Sequence, residues 1–126
     1  GGLRAILNYG HTFAHAIESV GAYRERQFHG QAVAIGMMAA GEVARRLGMF
    51  SADDLARQRR LIERAGLPTA LPRGVTPEEI LERIKSDKKV VAGRQRFVLP
   101  TGLGDVVVRD DVPVALVREV LTEMAS

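Results

Sequence analysis

Residues 3–20 place leucine, isoleucine, alanine and phenylalanine on most sides of a helical wheel, so a helix there has almost no solvent face and must be enclosed by other elements. Gly10 interrupts this stretch and weakens the expectation of one unbroken helix, and Gly21 is a plausible C-cap. The partners lie downstream. Residues 32–40 form a second apolar run, about half the roughly 20 residues of a membrane span. It therefore reads as a buried helix, and no membrane association is expected. Gly36, Ala39, Ala40 and Gly41 let a neighbouring helix approach it closely.

The rest of the chain is punctuated by local signals. Residues 22–28 lack periodicity and read as a loop that delivers His29 and Gly30 to the second helix, which runs to about Leu47 and closes at Gly48. Ser51, with Asp54 three residues on, opens a third helix that stops at Gly66, with Pro68 following. Its Arg57, Arg59, Arg60 and Arg64 are interleaved with acids and read as a solvated face. Thr76-Pro77-Glu78-Glu79 is a capping box with proline at the first helical position, so a fourth helix is expected to about Ser86. Residues 96–99 and 105–108 are β-prone and separated by residues 100–104, which predicts a small hairpin. Asp111 and Pro113 then open a last helix to Met124. The expected class is mainly α: one multihelical domain over residues 1–126 with a small β-hairpin.

The 126 residues, 46% of them hydrophobic, suffice for one core. A net charge of +3 arises from 18 basic residues interleaved with 15 acidic ones, and with so few aromatics the case for nucleic acid is weak. No cysteine is present, so a metal would have to be held by histidine and carboxylate oxygen. The first residue is Gly, and no leader pattern follows, so the chain reads as the downstream part of something longer.

Arg4, Asn8, His11 and His15 are spaced by four, three and four residues. On one continuous helix they would share an arc of about 60°. Short, shape-specific hydrogen-bonding groups set into an apolar helix suit a polar cavity better than open solvent. His11 and His15 are one turn apart, and spacing alone leaves open whether one or both bind a metal. His29 stands near the start of the next helix, where it can turn back toward the first. A further donor is hard to find: Glu18 lies on the same arc but about two turns from His11, and Glu42 lies about three turns beyond His29.

Arg4-x-x-x-Asn8-x-Gly10-His11-x-x-x-His15-Ala16-Ile17-Glu18 resembles the central signature of the 3-dehydroquinate synthase family. His29-Gly30-x-Ala32-Val33-Ala34-x-Gly36-Met37 is similar to its second signature. Asp87-Lys88-Lys89, with Gly93 and Arg96-Phe97-Val98-Leu99-Pro100, resembles a third stretch. Two positions depart from the pattern. Gln31 stands where Glu is usual, and Ala14 where Gly is usual. If the usual carboxylate orients His29, a glutamine there implies weaker metal binding.

The resemblance implies the C-terminal half of a two-domain enzyme, with an N-terminal Rossmann-like NAD-binding domain absent from this chain. It implies an NAD- and zinc-dependent (or cobalt-dependent) phosphate-eliminating lyase that converts 3-deoxy-D-arabino-heptulosonate 7-phosphate to 3-dehydroquinate in the shikimate route to aromatic amino acids. His11 and His29 would be metal ligands, with a third ligand upstream. Arg4, Asn8 and His15 would bind substrate and handle protons, and Lys88 and Lys89, of which Lys89 is preferred, would add substrate contacts. A cytoplasmic homodimer is implied as well, inactive without its N-terminal domain. Another sugar-phosphate cyclase, or a metal-dependent polyol dehydrogenase, is the alternative, and a helical interaction module is a distant third.

Overall fold

The computed structural model describes residues 10–20, 28–85, 96–102 and 105–125. In chain order the elements are α1 (His11–Ser19), α2 (Phe28–Arg46), α3 (Ala52–Arg64), α4 (Pro77–Lys85), β1 (Phe97–Gly102), β2 (Asp105–Arg109) and α5 (Val114–Met124). This is the mainly helical class with one hairpin that the patterning predicts.

α2 is the hub, because α1, β1, α3 and α5 all pack on it. Its Ala32, Ile35, Met38, Ala39, Ala40, Val43 and Ala44 are all buried. The four alanines among them let several neighbours come close to the helix axis at once. α1 is enclosed by α2, α4 and β1. It buries Phe13, Ala14, Ala16 and Ile17, and Phe13 meets Phe97 of β1 with ring centroids 5.4 Å apart. Gln58 of α3 is buried beside Leu55 and Ile62 on the inner face of that helix, and its amide donates to the Met37 carbonyl of α2 at 3.1 Å.

Helix ends follow local chemistry. Ser51 Oγ accepts the Asp54 amide at 3.0 Å. Thr76 Oγ1 accepts the Glu79 amide while Glu79 Oε1 accepts the Thr76 amide, both at 3.2 Å, which completes a capping box. Gly48 and Gly66, with φ of 76° and 75°, end α2 and α3 in Schellman motifs. At the first, Met49 N–H bonds Ala44 and Gly48 N–H bonds Arg45; at the second, Leu67 bonds Ile62 and Gly66 bonds Glu63.

Three expectations change. The helix expected over residues 3–20 is not continuous: Gly10 takes a left-handed conformation (φ 81°) and is the N-cap of α1, its carbonyl accepting the Ala14 amide at 2.9 Å. β1 continues through Pro100 to Gly102, where a loop was expected. Pro100 is buried, and a register irregularity between Pro100 and Gly102 accommodates a residue that cannot donate to the ladder. Asp111 does not open α5, whose N-cap is Pro113 without a side-chain cap. Instead it takes a bidentate pair from Arg109, Nε and Nη2 each 2.7 Å from a carboxylate oxygen.

Candidate functional site

α1 and α2 cross at two glycines. A Cβ on Gly36 would fall 2.5 Å from the Gly10 carbonyl oxygen and 2.9 Å from Ala14 N, and one on Gly10 would fall 2.6 Å from Gly36 C and Met37 N. Backbone therefore meets backbone, leaving no room for a side chain on either residue. Ala14 still fits, because Gly36 opposite it has no Cβ, which explains why the departure from the usual glycine is tolerated. This crossing sets where the histidines of the two helices stand.

His11 begins α1, half buried, and His15 lies one turn on, exposed, with the two ring centroids 4.8 Å apart. The α1 backbone thus holds the two imidazoles side by side. The expected arc also includes Asn8 and Arg4. These two residues, like Lys88 and Lys89, lie outside the described residues.

His29 is the second residue of α2 and is brought to α1 through Glu18, Nδ1 to Oε1 at 2.7 Å. A carboxylate oxygen accepts, so Nδ1 is the donor, which leaves Nε2 as the other ring nitrogen. The ring stays 68% exposed and the Glu18 side chain 35% exposed. Glu18 lies seven residues beyond His11, about 10 Å along the helix axis. Gln31 is exposed, so the carboxylate seated on His29 comes from position 18, not 31. In the sequence Glu18 relates only to His11, two turns before it on the same helix. The available signal was a lone carboxylate on a helix whose other acids are missing.

Imidazole nitrogens beside a carboxylate suit zinc or cobalt better than magnesium or calcium. Among the described residues, no cluster of three or more histidines and acidic groups is placed to hold a metal ion. The described part of the chain therefore offers two imidazole-bearing helices and an oriented His29, an incomplete donor set that fits such a cation in kind.

Glu42, the other carboxylate near this region in sequence, is committed elsewhere. Arg45 grips it through Nε at 3.0 Å and Nη2 at 2.6 Å, and Arg46 Nε adds a bond at 3.0 Å. The Arg45 hydrogen bond, opposed by burial and joined by Arg46, holds its carboxyl below the usual range. Arg46 also pairs with Glu123 and lies 3.6 Å from Glu119, which ties α2 to α5. A cavity of about 310 Å³ beside this network, lined by Met38, Glu42, Arg59, Val120 and Glu123 among others, is lined by none of the histidines.

The segment that carries Lys88 and Lys89 is bracketed by elements packed on α1. α4 ends at Lys85 against α1, and at the other end Thr12 Oγ1 donates to the Arg96 carbonyl at 3.3 Å. Among the described residues no helix is long and apolar enough to cross a membrane.

The family profile described as 3-dehydroquinate synthase C-terminal matches residues 1–90. The 3-dehydroquinate synthase of Nostoc punctiforme is 56% identical over 124 residues, covering 98% of this chain and 34% of that protein. That of Thermosynechococcus vestitus is 54% identical over 125 residues, covering 99% and 34%. The chain thus spans about a third of the length of these relatives. Among solved structures, a 2-epi-5-epi-valiolone synthase from Streptomyces hygroscopicus with NAD+ and Zn2+ bound superposes with a TM-score of 0.79 at 27% identity, covering 94% of this chain and 32% of that one. A 2-deoxy-scyllo-inosose synthase complexed with carbaglucose-6-phosphate, NAD+ and Co2+ shares the fold, with a TM-score of 0.77 at 24% identity over 93% and 34%.

Proposed function

The chain belongs to the 3-dehydroquinate synthase family, and from that premise we propose that it forms the C-terminal metal- and substrate-binding part of a 3-dehydroquinate synthase. The complete enzyme would convert 3-deoxy-D-arabino-heptulosonate 7-phosphate to 3-dehydroquinate and phosphate, a phosphate-eliminating lyase step of the shikimate pathway. An N-terminal domain would hold NAD, and a cytoplasmic homodimer is part of the same reading. The supporting observation is the junction of α1 and α2, which sets His11, His15 and a carboxylate-oriented His29 on two closely crossed helices in a chain 56% identical to a named synthase.

His11 and His29 would hold the divalent cation, zinc or cobalt, with a third ligand from sequence upstream. When bound, the cation supplies a Lewis acid that acidifies a substrate hydroxyl and polarises the derived carbonyl, and NAD supplies a transient oxidation. His15, one turn from His11 and exposed, would exchange a proton with substrate at a ring nitrogen. Asn8 would hydrogen-bond a substrate hydroxyl as donor or acceptor, and Arg4 would fork a carboxylate or phosphate. Lys88 or Lys89 would add a point charge, from a segment whose flanks are held against α1.

The structural likeness to a valiolone synthase at 27% identity favours one second reading, a sugar-phosphate cyclase acting on another substrate. Incubating the complete enzyme with the heptulosonate phosphate, NAD and zinc separates the readings. The proposal expects phosphate release without net NADH, a rate loss of about 10²–10⁴-fold in His15→Ala, slower turnover in Asn8→Ala, and no turnover by the isolated 126-residue chain. Accumulating NADH would point to a polyol dehydrogenase, and no phosphate release from this substrate would sink the assignment.

A further inference from the structure

We propose that Glu18 is the positioning residue for His29 as a metal ligand, performing the task that the family pattern leads one to seek at position 31. The inference rests on the zinc reading above and deepens it. Its basis is the 2.7 Å bond between Glu18 Oε1 and His29 Nδ1, made across two helices.

That bond has two chemical consequences. It fixes the ring tautomer, because the proton on Nδ1 leaves the Nε2 lone pair available to a cation. It also fixes the ring plane, because Nδ1 is held by a carboxylate on a second helix. His29 needs such help. It sits in the first turn of α2 with its ring 68% exposed, where little packing restrains it. Glu18 is better anchored, in the last turn of α1 between the buried Ile17 and the half-buried Val20, and its side chain is 35% exposed. A more rigid residue thus aims a freer one. Gln31 is exposed two residues past His29, so its lack of charge leaves this bond intact.

The pair is too exposed to matter much for folding, which makes the test clean. Zinc affinity is measured by chelator competition on the complete enzyme in wild-type, Glu18→Ala, Glu18→Gln and Gln31→Ala forms, beside the visible spectrum of each cobalt-substituted form and the urea midpoint of each metal-free form. Glu18→Ala should weaken zinc by about 10–100-fold and alter the cobalt bands, while its metal-free urea midpoint stays near that of wild type. Glu18→Gln, whose amide oxygen still accepts from Nδ1, should recover part of that loss, and Gln31→Ala should bind zinc like wild type. Unchanged zinc affinity and cobalt spectrum in Glu18→Ala overturn the inference. So does a Glu18→Gln loss as large as that of Glu18→Ala, which would make Glu18 a ligand itself. Wild-type enzyme that binds no zinc overturns the cofactor reading, and the inference with it.

Discussion

Replacing Gly10 by alanine tests whether the close crossing of α1 and α2 is the feature that organises the site. Two costs combine there. At φ 81° an L-residue is held in the left-handed region, about 1–2 kcal/mol. The new Cβ also lands 2.6 Å from Gly36 C and Met37 N, about an ångström inside ordinary carbon contact. Both atoms are backbone in the hub helix and cannot rotate away, so overpacking adds about 1–3 kcal/mol. Gly66→Ala is the matched control, since it shares the positive φ (75°) but has nothing within 4 Å of its Cβ. It should lose only the conformational part. Gly36→Ala isolates the other part: it meets the Gly10 carbonyl at 2.5 Å but regains about 1 kcal/mol of helix propensity. Urea unfolding of the metal-free protein should rank the losses Gly10→Ala largest, by about 2–5 kcal/mol in all. If Gly10→Ala and Gly66→Ala prove equally destabilising, the close-approach reasoning is wrong.

Thr76→Ala removes one half of the capping box at α4 and should cost about 1 kcal/mol in the same measurement; no change would mean that Glu79 and Pro77 cap the helix unaided. Glu42, whose folded-state carboxyl lies below its ordinary value of 4.5, contributes stability that is present above that value and lost as pH falls through the lower folded value. The stability difference between wild type and Glu42→Gln should therefore be full at pH 7 and shrink below about pH 4.5, read from urea midpoints across pH; a difference independent of pH would refute the linkage.

The local chemistry of this chain was legible residue by residue. Ser51, Thr76 with Glu79, and the glycines at 48 and 66 act within one helical turn of themselves, so their caps appear where their spacing says. Pro100 misled, because a proline reads as a loop residue unless the burial and register irregularity that accommodate it are known. Gly10 was seen as a weak point and Gly36 as a site of close packing. That the two face each other is a fact of the helix crossing, 26 positions apart in sequence, which no periodicity encodes.

The candidate site divides in the same way. Histidines 11, 15 and 29 stood out in the sequence because a cysteine-free chain with few histidines limits where a transition metal could bind, and their spacing already put two of them one turn apart. The partner of His29 did not stand out. On a helical wheel Glu18 relates only to its own helix, and it meets His29 because two glycines bring α1 and α2 into backbone contact and α2 starts beside the last turn of α1. Periodicity and capping are short-range and survive in one dimension. The choice between residues 18 and 31 as the carboxylate's place depends on which helix surfaces face each other, and that is decided only when the core is packed.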